Sequence, residues 1–310
     1  MAAAVTVKEI EYGPWGHCVE VSNGIVDVVA TLDFGPRLIR FGFTGGDNLF
    51  LEDTERKVVS SGERFAPVGG GSWHIYGGHR LWSGPEAEPR TTYPDNEPVA
   101  WEALADGIVL TPPQEQWTQL QKQMEVRLDA ATSTVTVVHR ITNAGPWAVT
   151  FAPWALSVMA PGGKAIVPQV QRETGLLANR IISVWSYARM NDPRIAWGER
   201  FITLQQDRTM PPFKIGTNNE EGWAAYHNGG NLFVKRYEHR QEGTYPDNGV
   251  SFETYTNELF LELETLGELK PVAPGETVKH TETWELYKAD SLPYADETEL
   301  SRVLREITGR

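Results

Sequence analysis

Cysteine is almost absent. Cys18 is the only one, so no internal disulfide can form, and a reducing compartment such as the cytoplasm fits this usage. No stretch of 18 uninterrupted apolar residues occurs, which excludes a helical membrane span. The opening residues, MAAAVTVKEIEYG, lack the basic start and apolar run of a secretory signal. Positive charge is scarce as well. Lys and Arg number 28 against 41 Asp and Glu, and the net charge of −13 argues against a nucleic-acid or anionic-membrane partner. There is no phosphate-binding loop, dinucleotide fingerprint or G-x-S-x-G nucleophile motif. His74 and His79 lie in one glycine-rich loop at no recognised zinc spacing, so neither a metal nor an organic cofactor is expected. Long helices have little room, because 29 Gly and 20 Pro punctuate the chain.

What is present is alternation with period two. In QLQKQMEVRL (119–128), Leu120, Met124, Val126 and Leu128 point one way and the Gln, Glu and Arg residues the other. The turn DAATST leads into TVTVVHRIT (134–142), which completes a β-hairpin. Further strand patterns cover 15–21, 24–32, 36–43, 147–160, 200–206, 223–238, 249–256, 258–266 and 276–287. Turn strings such as HNGG (227–230) separate them. The segment 176–190 is read as strand. Only the C-terminus reads as helix: Asp296 caps, Glu299 completes a capping box, and Leu300, Val303, Leu304 and Ile307 form one stripe. Strands at this density predict an all-β fold, a large antiparallel sandwich, as a single domain over 1–310.

Two regions concentrate chemistry. The stretch 69–96 holds Trp73, His74, Tyr76, His79, Arg80, Trp82 and Glu86, with glycines that let a ligand approach the backbone. It ends in YPDN (93–96), a string that recurs at 245–248. Both copies read as turns between strands, with Asp95 and Asp247 at the rim of one cleft or merely in similar turns. The second region is TNELFLELETLGEL (256–269). Read as a strand, it aligns Glu258, Phe260, Glu262 and Glu264 on one face, with successive residues roughly 6.5–7 Å apart. Acids are poor strand formers. The row is an exposed sheet face, or it pairs with Arg and Lys of a neighbouring strand such as Lys235 and Arg236, or it carries a general base on a concave sheet. His139, in mid-strand among valines, reads as a core or sheet-face histidine, and Cys18, in GHCVEV, as a core residue. Eleven Trp suit either a broad core or open rings in a cleft, where a flat apolar face with a polar edge suits a sugar.

The pieces LDFGPRLIRFGF (32–43), GGHRLWSGPE (77–86), FAPWALSVMAPGG (151–163) and TNELFLELETLGELKPVAPGETVKHTETWEL (256–286) together resemble the galactose mutarotase-like superfamily, in an uncharacterised bacterial branch. They span most of the chain in the expected order. The resemblance implies a twisted antiparallel "supersandwich" with a sugar held on a concave sheet. In aldose mutarotases of that kind a late glutamate takes the anomeric hydroxyl proton and a histidine protonates the ring oxygen. By position the glutamate is Glu264, with Glu262 as rival, and His79 matches an early sugar-contacting histidine. Where a second histidine is expected the chain has Trp154, which cannot donate an acidic proton. Arg80, Asp95, Trp82, Trp154, His74, Tyr76, Glu86 and Arg37 complete the expected substrate contacts.

Three functions follow. The first is an aldose 1-epimerase-like enzyme on a free sugar, with Glu264 as base and His79 as acid. The second is a glycoside hydrolase or lyase, in which Glu86 or Asp95 supplies the opposing carboxyl. The third is a non-catalytic carbohydrate binder. All three take a small sugar or oligosaccharide as partner, and a homo-oligomer is compatible with each.

Overall fold

The computed structural model describes residues 4–309. Two large sheets face one another. The first has 11 strands, and its middle runs Leu38–Phe43, Gly78–Gly84, Val149–Met159, Leu261–Leu266, Phe252–Thr256 and Phe213–Thr217. The second has 10, with Asn231–Tyr237, Thr277–Lys288, Val135–Asn143 and Leu120–Leu128 at its centre. Every neighbouring pair in these central runs is antiparallel. The architecture is the all-β sandwich that the alternating pattern predicts.

The alternation does what period two requires. Met124, Val126 and Leu128 turn inward and meet Val135 and Val137 of the adjoining strand, in the register Val126 to Val137. From the first sheet, Val28, Phe41, Leu261 and Leu263 enter the same core. Trp284 fills its centre, with ring centroids 5.7 Å from Phe41, 5.6 Å from Phe50 and 5.9 Å from Phe233. Burying each such side chain stabilises the fold by about 1.5–3 kcal/mol. The HNGGN string is a tight hairpin, with Gly229 and Gly230 both at positive φ.

The C-terminal helix, Glu297–Thr308, starts where the sequence places it. The Asp296 carboxylate accepts from the Thr298 and Glu299 amides, and Leu300 and Leu304 are buried. The reciprocal half of the capping box is absent. The Asp296 amide donates to the Pro293 carbonyl, and Glu299 pairs instead with Arg302. The segment 176–190 is also not the strand expected. Only Ile182–Val184 pairs, at the edge of the first sheet; Trp185 and Tyr187 beyond it pack on Lys214 and Tyr255, while Leu176 and Leu177 before it stay exposed.

Candidate functional site

Strand alternation puts two polar clusters on opposite faces of the first sheet. Leu261, Leu263 and Thr265 point between the sheets, so Glu262 and Glu264 point outward. The cross-strand register then builds the outer cluster. Leu156 pairs with both Glu264 and Arg80, Trp154 with Trp82, Glu253 with Glu264, and Tyr255 with both Glu262 and Lys214. Trp73, from the small strand Ser72–His74, closes over Trp82 with ring centroids 5.2 Å apart. Trp82 in turn stands edge-on to Trp154 at 5.4 Å.

Within this aromatic shell every charge has a counter-charge. Lys214 Nζ donates to Glu264 Oε2 at 2.9 Å and lies 2.7 Å from Glu253 Oε2. The same ammonium sits over the Trp154 ring at 4.7 Å and the Trp185 ring at 4.8 Å. Trp154 Nε1 donates to Glu264 Oε2 at 3.0 Å. The Trp found where a histidine was expected therefore orients the glutamate instead of protonating a sugar. Arg80 Nη2 donates to Glu262 Oε1 at 3.0 Å, and its guanidinium lies over Trp82 at 4.2 Å. The glutamate row is thus paired, but with Arg80 and Lys214. Lys235 and Arg236 belong to the second sheet and pair with Glu282 and Glu285.

The electrostatics separate the carboxyls. Burial raises Glu262 to about 7, with Arg80 opposing and Glu264 adding to the rise. Burial also lifts Glu253 well above the ordinary value, against the pull of Lys214. Burial lowers Lys214, but Glu264 and Glu253 outweigh it and the net shift is upward. Several polar atoms here lack a hydrogen-bond partner among the described residues: Glu264 Oε1, both Glu253 carboxylate oxygens, Arg80 Nε and Nη1, and Trp73 Nε1. Glu253 is an ion-pair partner of Lys214 without hydrogen-bond alignment.

The other face of the same strands carries His79. Its strand partner Ser157 bonds its Nδ1 at 2.9 Å, and its Nε2 meets His139 Nε2 at 2.7 Å. His139 Nδ1 must donate to the His280 carbonyl, 3.0 Å away, so His139 Nε2 accepts from His79 Nε2–H. Glu282 accepts from Thr265, from Lys235 Nζ at 3.0 Å and from Trp284 Nε1 at 2.8 Å. Lys235 also donates to the Leu263 carbonyl at 3.1 Å. His79, His139 and Glu282 present ligand atoms within 4.8 Å of one another. Their lone pairs are already committed, and Lys235 neutralises Glu282, so a dication would leave uncompensated charge in a dry core. The set fits a hydrogen-bonded network better than a metal centre.

The acid role expected of His79 is therefore corrected. It faces away from Glu264 across the sheet, and burial, aided by Lys235, holds its pKa well below the ordinary histidine value. His139 is buried in the core, the first of its two sequence readings.

Four other expected contacts gather elsewhere. Arg37 grips Asp95 at 2.5 and 3.2 Å and bonds the Ile75 and His74 carbonyls. Tyr76 stacks on Phe34 at 4.0 Å and donates to Asn96 at 2.7 Å. His74 bonds Ser72 and lies 5.2 Å from the Tyr76 ring. The two YPDN copies serve different places: Asp95 binds Arg37, while the Asp247 carbonyl accepts from Ser183, beside the outer cluster, at 2.6 Å. Glu86 stands exposed at the edge of the outer cluster. Its carboxyl is raised by burial and opposed by Lys214, but this is a modest effect for a residue open to water.

Of the expected residues, Glu264, Glu262, Arg80, Trp82 and Trp154 come together. Trp73, from the same glycine-rich stretch, joins them, while Lys214, Glu253, Trp185 and Tyr255 were not among the expected residues. A lysine inside the apolar strand FKIGT and a glutamate inside SFETYT were the available signals.

No protein-family model and no curated protein sequence matches the chain. Solved structures do. A TPR-domain containing protein from Parabacteroides distasonis superposes with a TM-score of 0.61 at 13% identity, over 89% of this chain and 47% of that one. This chain therefore spans just under half of that protein's length. A galactose mutarotase-like protein from Lactobacillus casei gives 0.55 at 12% identity, over 87% of this chain and 100% of that one. Another from Clostridium acetobutylicum gives 0.53 at 10%, over 92% and 99%. The chain has the galactose mutarotase-like β-sandwich fold.

Proposed function

We propose that the outer face around Glu264 binds a sugar and that the chain is an aldose 1-epimerase-like enzyme. One observation carries the reading. Acceptors without hydrogen-bond partners among the described residues (Glu264 Oε1 and Glu253 Oε1) and donors likewise open (Arg80 Nε and Nη1, Trp73 Nε1) are buried together between indole rings. A ligand that satisfies both kinds must donate and accept from neighbouring atoms and offer an apolar face. Sugar hydroxyls on a pyranose ring do so.

In this reading Glu264 is the base, oriented through Oε2 by Lys214 and Trp154 with Oε1 left for the substrate. It takes the proton of the anomeric hydroxyl while Glu262, a carboxyl with a pKa of about 7, gives a proton to the ring oxygen. The bond from the anomeric carbon to the ring oxygen breaks, and an open-chain aldehyde forms. Rotation about the next bond and reversal of both proton transfers yields the other anomer. Glu264 and Glu253 are fully buried, so entry requires the segment bearing Trp185 and Tyr187 to swing off the cluster.

The test is one-dimensional NMR of freshly dissolved single-anomer hexoses, pentoses and uronic acids. Acceleration by the wild type, lost in Glu264→Gln and in Glu262→Gln, supports the reading. Acceleration unchanged in both variants overturns it. Cleavage of oligosaccharides without anomer exchange favours hydrolysis instead, with Glu86 at the cluster's edge as the opposing carboxyl.

A further inference from the structure

We infer that the chain carries a second carbohydrate-binding cleft, distinct from the Glu264 cluster and built around the first YPDN string. A cavity of about 390 Å³ opens where one end of the sandwich gapes. This lies within the size range of small-molecule sites, roughly 300–1,000 Å³. Its floor is apolar and comes from both sheets: Leu81 from Gly78–Gly84 and Met124 from Leu120–Leu128. Leu81 points opposite to Arg80, so this cleft and the Glu264 cluster lie on opposite faces of that strand.

The walls fix what fits. Arg37 is paired with Asp95, and Lys122 with Glu115, so both cations are already neutralised and the cleft does not select an anion. Tyr93, Pro94, Asp95 and Asn96 all line it, and the Tyr93 hydroxyl accepts from the Gln116 amide at 3.0 Å, tying YPDN to the opposite lip. On that lip the side-chain amides of Gln114 and Gln116 are exposed and, among the described residues, unbonded. An amide both donates and accepts, as hydroxyl recognition needs. Beside them Trp117 is 55% exposed, with its ring against the Gly69 backbone at the mouth. Trp117 thus flanks the lining residues Gln116 and Gly70, and an open indole and free amides beside a cleft with an apolar floor are complementary to a neutral sugar, which stacks one face and hydrogen-bonds at its edges.

Nitrogen-15 spectra of the indole groups test this directly, with the Trp117 signal assigned by Trp117→Phe. The panel is neutral mono-, di- and trisaccharides at millimolar concentration. At least one sugar is expected to shift the Trp117 signal saturably, and Trp117→Ala should weaken that binding roughly two- to tenfold. A Trp117 signal that stays still for every sugar overturns the inference, as does an affinity unchanged by Trp117→Ala. The two sites report separately. Shifts at Trp73 and Trp154 alone leave the proposed function standing and remove the second cleft. Shifts at Trp117 alone do the reverse.

Discussion

Lys214→Met removes the only ammonium within hydrogen-bonding reach of Glu264 among the described residues and keeps an unbranched apolar stem one atom shorter. Lys214 also lies 2.7 Å from Glu253 Oε2, so the two carboxyls share this one ammonium, and burial lifts Glu253 well above the ordinary range. Without the lysine, Glu264 either stays ionised in a dry site or takes up a proton. Breaking a buried pair costs about 3–5 kcal/mol. Proton uptake sets a ceiling. Neutralising a carboxyl with an unfolded pKa of about 4.3 at pH 7 costs about 2.7 × 1.36, or ~3.7 kcal/mol. The loss should therefore be about 3–4 kcal/mol at pH 7. In the variant the folded state holds a proton that the unfolded state has released, so the loss grows with pH above about 4.3 and shrinks to about 1 kcal/mol at pH 5. Urea unfolding of both proteins at the two pH values measures it. An equal loss at pH 7 and pH 5, or a loss under about 1 kcal/mol at pH 7, would refute the reasoning.

The network between the sheets gives the wild type its own pH dependence. Burial holds His79 and His139 low and His280 at about 3, so the unfolded chain binds protons that the folded rings refuse. Glu262 and Glu253, raised by burial, oppose this down to about pH 4.3, so stability should fall most clearly between about pH 4.3 and 3, by up to about 1.4 kcal/mol per pH unit for each ring. Flat urea midpoints across that window contradict this. Asp296→Ala removes the acceptor of two helix amides and should lower stability by about 0.5–2 kcal/mol, read from the urea midpoint. An unchanged midpoint would mean the C-terminal helix adds nothing to the cooperative fold.

Local pattern made much of the architecture legible. The hairpin of 119–142 and the cap at Asp296 follow from short-range chemistry, and the structure keeps both. Placing Glu262 and Glu264 on one face required only period two. What period two cannot supply is which face of one strand meets which face of another. His79 and Arg80 are neighbours in sequence and opposites in space, so reading GGHRLW as a single chemical unit merged two clusters that the sheet divides. Lys214 and Glu253 escaped notice because each is a lone charge in an apolar strand, and its meaning appears only in the register that brings it beside Glu264. The segment 176–190 departs from the expected strand because Trp185 and Tyr187 pack on Lys214 and Tyr255 instead of pairing, and apolar composition alone does not separate the two.

The central claim is that a sugar occupies the outer face around Glu264. The indole signals of Trp73 and Trp154 test it most directly. Trp73 Nε1 has no hydrogen-bond partner among the described residues, and Trp154 Nε1 is bonded to the catalytic candidate itself. Trp284, sealed between the sheets on Glu282, is the internal control. The account predicts that a sugar whose anomers the protein interconverts will shift the Trp73 and Trp154 signals and leave Trp284 in place. A sugar that is turned over while both signals stay still would put the chemistry elsewhere and contradict the account.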